Sequence, residues 1–329
     1  MKFTGYLKTI FLVAVVTLTA TLKAQNLDEA KKEFNAGLNA YQASDYEAAV
    51  ASFEKVVDIC ASLVENYEDA DAEDLMYQTL DKIPGIYINI SVNALKEKDV
   101  KKGIEYAEKA KKAADEYGDT DSFEKAKDIL ANVYTKLGGM KIKKGEIDGA
   151  IKDLDKATSE VESYASAYLY KALAYKEKED HEAVKENALK AIEYATTPSD
   201  RKVKGQAISL GQKYFLKLGN DAKEAKNYAE AEKYLLNSLE FNSADEVTIR
   251  LLFEVYDGLG NYEKAVEYGT RAAESATEND IKSKIYYDLG KLYQGKGKNA
   301  EACDAYSKAQ IGAYAENAKY IMEQELKCE

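Results

Sequence analysis

The residues best suited to chemistry are few, and their spacing does not assemble a reaction centre. The run Gly290-Lys291-Leu292-Tyr293-Gln294-Gly295-Lys296-Gly297 meets every position of the phosphate-cradling loop G-x-x-x-x-G-K-[ST] except the last. There Gly297 lacks the hydroxyl that would hold Mg²⁺, no strand-like run precedes the loop, and Gly290 has a packing role in a helix pair. The chain has one histidine, His181, without a recognisable Cys or Asp partner, and it reads as a turn residue at the surface. That count excludes hydrolase triads and histidine-rich metal sites. The acidic stretches at residues 65–74 and 115–121 lack the D-x-[DN]-x-[DN]-G spacing of a calcium loop and read as solvated surface with helix-capping duties. With no nucleophile, metal set or cofactor loop, the sequence predicts a protein that is not an enzyme and takes no cofactor.

Composition narrows the elements that remain. Of 329 residues, 46% are hydrophobic and 32% charged, and only 2 are proline. Ala, Leu, Glu and Lys lose little side-chain freedom in a helix, so the mix predicts an all-α fold. The net charge of −12 argues against a general nucleic-acid binder, which needs a basic face to displace counterions.

Residues 1–24 read as a secretory signal. Lys2 and Lys8 supply the positive start, residues 10–18 an apolar run too short to span a bilayer, and Ala24 a small residue at the cleavage point, with Ala20 as second choice. The alternative is an uncleaved anchor. Cleavage leaves residues 25–329 as the mature chain, with no stable membrane insertion expected. Export to an oxidising compartment makes the odd count of 3 cysteines informative. Cys303 and Cys328 both fall near the C-terminus and can meet, whereas Cys60 reads as a small buried apolar residue. The alternative of three unpaired thiols stays open.

The chain's organising phrase is Gly260-Asn261-Tyr262-Glu263-Lys264-Ala265-Val266: a turn, an aromatic, then a small residue inside a new helix. It returns as Asp45-Tyr46-Glu47-Ala48-Ala49-Val50, Gly145-Glu146-Ile147-Asp148-Gly149-Ala150-Ile151 and Asn227-Tyr228-Ala229-Glu230-Ala231. The small residue of each second helix gives the markers Ala49, Gly103, Ala150, Val184, Ala231, Ala265 and Ala302. Twelve residues earlier, first helices carry Gly37, Ser91, Gly138, Ala172, Gly219 and Gly290; Phe253 breaks that series and is expected to open its helix pair. Two antiparallel helices approach closely only where small side chains face each other, which is why these positions recur.

This helix-turn-helix phrase resembles the tetratricopeptide-repeat (TPR) family, whose 34-residue period is the spacing of Ala150 to Val184 and of Ala231 to Ala265. Spacings about 13 residues longer precede Ala150 and Ala231, and are expected to lengthen first helices at their N-termini, over residues 123–144 and 199–224. Thr120-Asp121-Ser122 and Thr197-Pro198 would cap them. The longest addition, at residues 60–83, should extend a second helix to near Tyr67, break at Glu68-Asp69-Ala70-Asp71, and restart towards a kink at Pro84. Residues 315–327 place Ala318, Ile321, Met322 and Leu326 on one side, as a capping helix would. No Gly/Ser-rich linker divides the chain, so one domain is expected.

The resemblance implies a right-handed α-α superhelix, a TPR solenoid of about seven repeats, acting as a protein-interaction scaffold in a Gram-negative envelope. The periplasm is the first choice of location, with secretion or surface association as alternatives. It also implies a concave groove lined by first helices, where a protein or peptide partner binds. Carried over, that register gives Tyr41, Ile88, Val92 and Leu95, then Leu169, Leu173 and Lys176, then Leu216, Asn220 and Lys223, then Arg250, Glu254 and Asp257. Lys176, Asn220, Lys223 and Arg250 form part of the set with which some family members clamp a terminal carboxylate. An apolar and cationic groove suits a segment with apolar anchors and acidic groups. The alternatives are a groove filled by the chain's own helices, or an envelope protein that captures glycans or nutrients.

Overall fold

The computed structural model describes residues 3–328, with side chains from residue 23 onward. The expected leader, residues 1–24, therefore lies mostly outside the described side chains. Among the described residues there is no strand, and no helix is long and apolar enough to cross a membrane.

The chain packs as two compact units, Met1–Ala167 and Tyr168–Glu329. The first holds α1 (Phe3–Gln42), α2 (Tyr46–Tyr67), α3 (Ala70–Leu80), α4 (Ile83–Lys96), α5 (Val100–Tyr117), α6 (Thr120–Lys144) and α7 (Ile147–Glu160). The boundary falls in the first turn of α8 (Ala165–Glu177). The second unit continues with α9 (His181–Tyr194), α10 (Arg201–Glu224), α11 (Tyr228–Phe241), α12 (Glu246–Gly258), α13 (Tyr262–Ser275), α14 (Asn279–Gly295), α15 (Asn299–Lys308) and α16 (Ala315–Tyr320). Within each unit, helices adjacent in sequence pack as hairpins, such as α6 on α7 and α10 on α11.

The same turn closes hairpin after hairpin. One residue before each second helix's cap takes a left-handed conformation: Ser44, Lys98, Gly145, Glu179, Lys226, Gly260 and Gly297 all have φ between 57° and 78°. The next amide then reaches back five residues, as from Asp99 N to Ala94 O (2.9 Å), Asn227 N to Ala222 O (2.9 Å) and Asn261 N to Tyr256 O (2.9 Å). These bonds satisfy carbonyls orphaned at the end of the first helix. Asp45, Asp99, Asp180 and Asn261 then cap the second helix with a side-chain oxygen.

The small-residue markers sit where the helices touch. Ala49, Ala150, Val184, Ala231, Ala265 and Ala302 are all 0% exposed. A Cβ added at Gly138 would lie 2.6 Å from Leu154 Cγ and 3.2 Å from the Ala150 carbonyl oxygen. At Ser91 the hydroxyl uses the short distance instead, donating to the Gly103 carbonyl oxygen at 2.7 Å. Phe253 does not open its pair: it is buried, and Gly269 on α13 supplies the space, since a Cβ there would lie 3.0 Å from the ring. The size pattern is reversed across the helix pair, and close packing survives.

The long first helices are α6, with 25 residues, and α10, with 24, against 13 each in α8 and α12. α6 starts earlier than expected because Asp119, directly after the left-handed Gly118, accepts from Ser122 N at 3.0 Å. At α10 the cap falls as expected: Thr197 and Asp200 form a reciprocal capping box with Pro198 in the first turn. Pro84 does not kink a helix. The chain breaks at Asp81-Lys82, and Pro84 lies in the first turn of α4, where a missing N–H leaves no bond unmade.

Cys60 is fully buried between Val56, Leu63 and Ala72, and burial pushes its thiol pKa up. Cys303 on α15 and Cys328 are joined by a disulfide with their Cα atoms 5.8 Å apart. It pins the C-terminal segment, in which Ala318 is fully buried with Ala302, Tyr306 and Ala309, while Ile321, Met322 and Leu326 pack around them. The segment is α16 followed by a wider π turn at Ile321–Leu326, rather than one continuous α-helix.

Candidate partner-binding surface

All the groove positions expected from residue 169 onward fall on first helices of the second unit: α8, α10 and α12. Their surroundings differ. Leu169 is buried with Tyr168, Ala191 and Ala207, so its side chain belongs to the core and not to a binding surface. Leu173 is half-buried and Lys176 exposed at the end of α8. Leu216 is half-buried against the core cluster that holds Leu235 and Leu252. Asn220 donates along its own helix to Glu224 Oε1 at 3.0 Å.

Lys223 on α10 reaches Glu254 on α12, Nζ to Oε2 at 2.6 Å, with 20% and 35% of the two side chains exposed. This ion pair joins successive first helices across one face. Arg250 is half-buried one turn before Glu254, and Asp257 is exposed one turn after it. The surface thus pairs Lys223 with Glu254, with Asn220 one turn before Lys223 and Arg250 one turn before Glu254. Lys176 stands apart, on a different feature.

In the first unit, Tyr41 is 44% exposed and lies edge-on to Tyr46, with ring centroids 5.6 Å apart. Beside it Leu38, Phe53, Lys82, Gly85 and Ile86 line a small hollow of about 230 Å³. Ile88 and Val92 are half-buried, and Leu95 fills the space over Gly103, where a Cβ would lie 2.5 Å from its side chain.

The feature that holds Lys176 is a cleft of about 650 Å³ along α10, lined also by Arg201, Lys202, Lys213 and Lys217, with Leu210 and Tyr214 as its apolar part. Among the described residues, no carboxylate lines it. Lys217 pairs along the helix with Asp221 at 2.7 Å. A Cβ at Gly205 would meet nothing within 4 Å, so the cleft is open at that point. The sequence reading found only Lys176 here. The missed signal was the recurrence of Arg201, Lys202, Lys213 and Lys217 on one helix of an acidic chain.

Tyr214 connects this cleft to His181, which is neither fully exposed nor without a partner. Its Nδ1 lies 2.7 Å from the Tyr214 hydroxyl, and its ring meets Tyr234 edge-on with centroids 5.4 Å apart. Burial, and behind it the charge of Glu179, raises the Tyr214 phenol above its ordinary pKa. The contact fixes the turn before α9 against α10.

Residues 283–310, which span most of α14 and α15, match the tetratricopeptide-repeat family model. No curated protein matches the chain. Among solved structures, it is similar to YrrB, described as a TPR protein with an unusual peptide-binding site, at 20% identity over 55% of this chain and 84% of that one (TM-score 0.30). It is also similar to MamA from Desulfovibrio magneticus RS-1, at 17% identity over 58% and 97% (TM-score 0.28). A third likeness is to a tetratricopeptide-repeat protein from Parabacteroides merdae, at 14% identity over 92% and 100% (TM-score 0.28). Residues 283–310 thus carry a tetratricopeptide-repeat match, and the same buried small-residue contact recurs in hairpin after hairpin along the chain.

Proposed function

We propose that the protein is a non-enzymatic scaffold of the bacterial cell envelope that holds a partner segment against the first-helix face of its second unit. The observation that carries this reading is the Lys223–Glu254 pair. It fastens α10 to α12 side by side, so that Asn220, Lys223, Arg250 and Glu254 present donors and acceptors along one continuous face. Side chains already held by neighbouring helices lose less freedom when a partner binds, which favours recognition. The mixed charge suits a peptide whose own polar groups alternate with apolar anchors.

A crosslinking capture from the native envelope tests the face. The wild-type chain should capture a partner that the double variant Lys223→Glu, Arg250→Glu loses. Retention by the variant would move the interface elsewhere, and stabilisation by glycans in a thermal-shift panel, with no captured protein, would replace the scaffold reading. Location is checked separately: fractionation should recover an envelope protein whose N-terminus is Gln25.

A further inference from the structure

We propose that the cationic cleft on α10 is a second docking site, distinct from the Lys223–Glu254 face, and that it takes an extended acidic peptide segment carrying one apolar anchor. The inference rests on the scaffold reading but concerns different residues. All lining residues except Lys176 lie between Arg201 and Lys217. α12 begins about two turns before Phe253, whereas α10 begins about five turns before the equivalent Gly219. The extra turns at the start of α10 add the stretch from Arg201 to Leu210 to the cleft, while Lys213, Tyr214 and Lys217 lie at positions that a repeat of ordinary length also has.

Charge, length and apolar content select the occupant. Lys176, Arg201, Lys202 and Lys213 line the cleft with no carboxylate among the lining residues, in a chain whose net charge is −12. Lys185, Lys190, Lys233 and Lys264 elsewhere in this unit each have a carboxylate partner, as does Lys217 at the far end of the cleft. Clustered like charges repel one another, and a ligand of opposite charge relieves that repulsion. The row from Arg201 to Lys217 is about 24 Å long at 1.5 Å per residue, the span of about seven extended residues. That is too long for a single phosphate or carboxylate. Leu210 and Tyr214 between the cations offer an apolar seat, with the Tyr214 hydroxyl already engaged by His181. A uniformly charged polyanion would leave that seat unused.

The test uses the full, disulfide-bonded chain and a fluorescent decapeptide of Asp and Glu with one central Leu, followed by anisotropy at low and moderate salt. Its controls are the Asn/Gln analogue and a single-stranded oligonucleotide of equal charge. The acidic peptide should bind, the neutral analogue should not, and salt should weaken binding. Lys202→Glu with Lys213→Glu should lower affinity about tenfold or more. Gly205→Glu should do the same without a packing clash, since a Cβ there meets nothing within 4 Å, while Gly205→Ala should leave binding intact. Absence of acidic-peptide binding overturns the proposal, as does binding that Lys223→Glu, Arg250→Glu abolishes and the cleft variants spare. Tighter binding of the oligonucleotide also overturns it, in favour of a general polyanion surface. The envelope capture with the Lys223/Arg250 variant reports on the scaffold reading independently, so either can fail alone.

Discussion

Close approach of two backbones rests on single residues, and the cost of disturbing them is calculable. Gly138→Leu drives a side chain into Leu154 and the Ala150 carbonyl, and is expected to lower stability by about 1–3 kcal/mol in a denaturant titration; an unchanged midpoint would contradict the packing described. The turns give the opposite sign. Lys98 sits at φ 68°, where a side chain is strained and glycine is not. Lys98→Gly should therefore raise stability by about 0.5–1 kcal/mol, the left-handed strain less glycine's larger unfolded-state entropy; a loss would show that the lysine side chain holds the turn. At this scale the sequence was legible wherever a residue has one dominant reason to be present. Gly37, Gly138 and Gly290 read as contact points because only a small residue fits them. Phe253 misled because the compensation lies on Gly269 of the facing helix, and position 253 alone does not reveal it. His181 misled similarly, since its partner is Tyr214, a residue type that also serves as this chain's packing aromatic.

Helices were legible through caps and punctuation, and the polar ties between helices were not. Gly118 and the Thr197-Pro198 pair mark real ends, and the error at α6 arose because three potential capping residues follow one another and Asp119 precedes them all. Nothing in spacing announces that Glu232 on α11 would accept from both Tyr256 on α12, at 2.9 Å, and Lys264 on α13, also at 2.9 Å. The Lys264 bond, opposed by burial and helped by Tyr256, depresses the Glu232 carboxyl below its ordinary pKa, while burial and Glu232 push Tyr256 up to about 12. A depressed carboxylate stabilises the fold above its unfolded pKa of about 4.3, and that contribution fades as pH falls through the lower folded value. Glu232→Gln should therefore cost about 1 kcal/mol at neutral pH and nothing measurable well below pH 4, as read from urea midpoints at both. A pH-independent difference would mean that Glu232 acts by packing alone. The C-terminal element carries its own test. The Cys303–Cys328 bond closes a sequence separation of 25 residues, which in the chain-entropy account stabilises by about 3–4 kcal/mol. Reduction should loosen α16 selectively, raising hydrogen exchange at Ala318 and Met322 and exposing the apolar surface around Tyr306 to self-association; unchanged exchange would show that packing holds the segment by itself.

Over the whole molecule, regular repetition and a division into two compact units coexist. The repetition is written in the sequence because each hairpin needs the same small contact, whereas the division falls within the first turn of α8 and leaves no compositional mark. Part of the cationic cleft went unread because Arg201 and Lys202 belong to turns added at one end of α10, outside the register that gave Lys176. Repeat proteins draw stability from each hairpin and its neighbours, so damage should stay local. Gly138→Leu offers the measurement, because it strains the α6–α7 hairpin in the first unit. Hydrogen exchange of the full chain should show lost protection in α6 and α7, a smaller loss in α4 and α5, and native protection in α12 and α13. Equal loss in every helix would mean that the chain opens as one cooperative body. In that case the free energy of a partner docking at α10 and α12 would stabilise the first unit too, and the two units would respond to ligand as one.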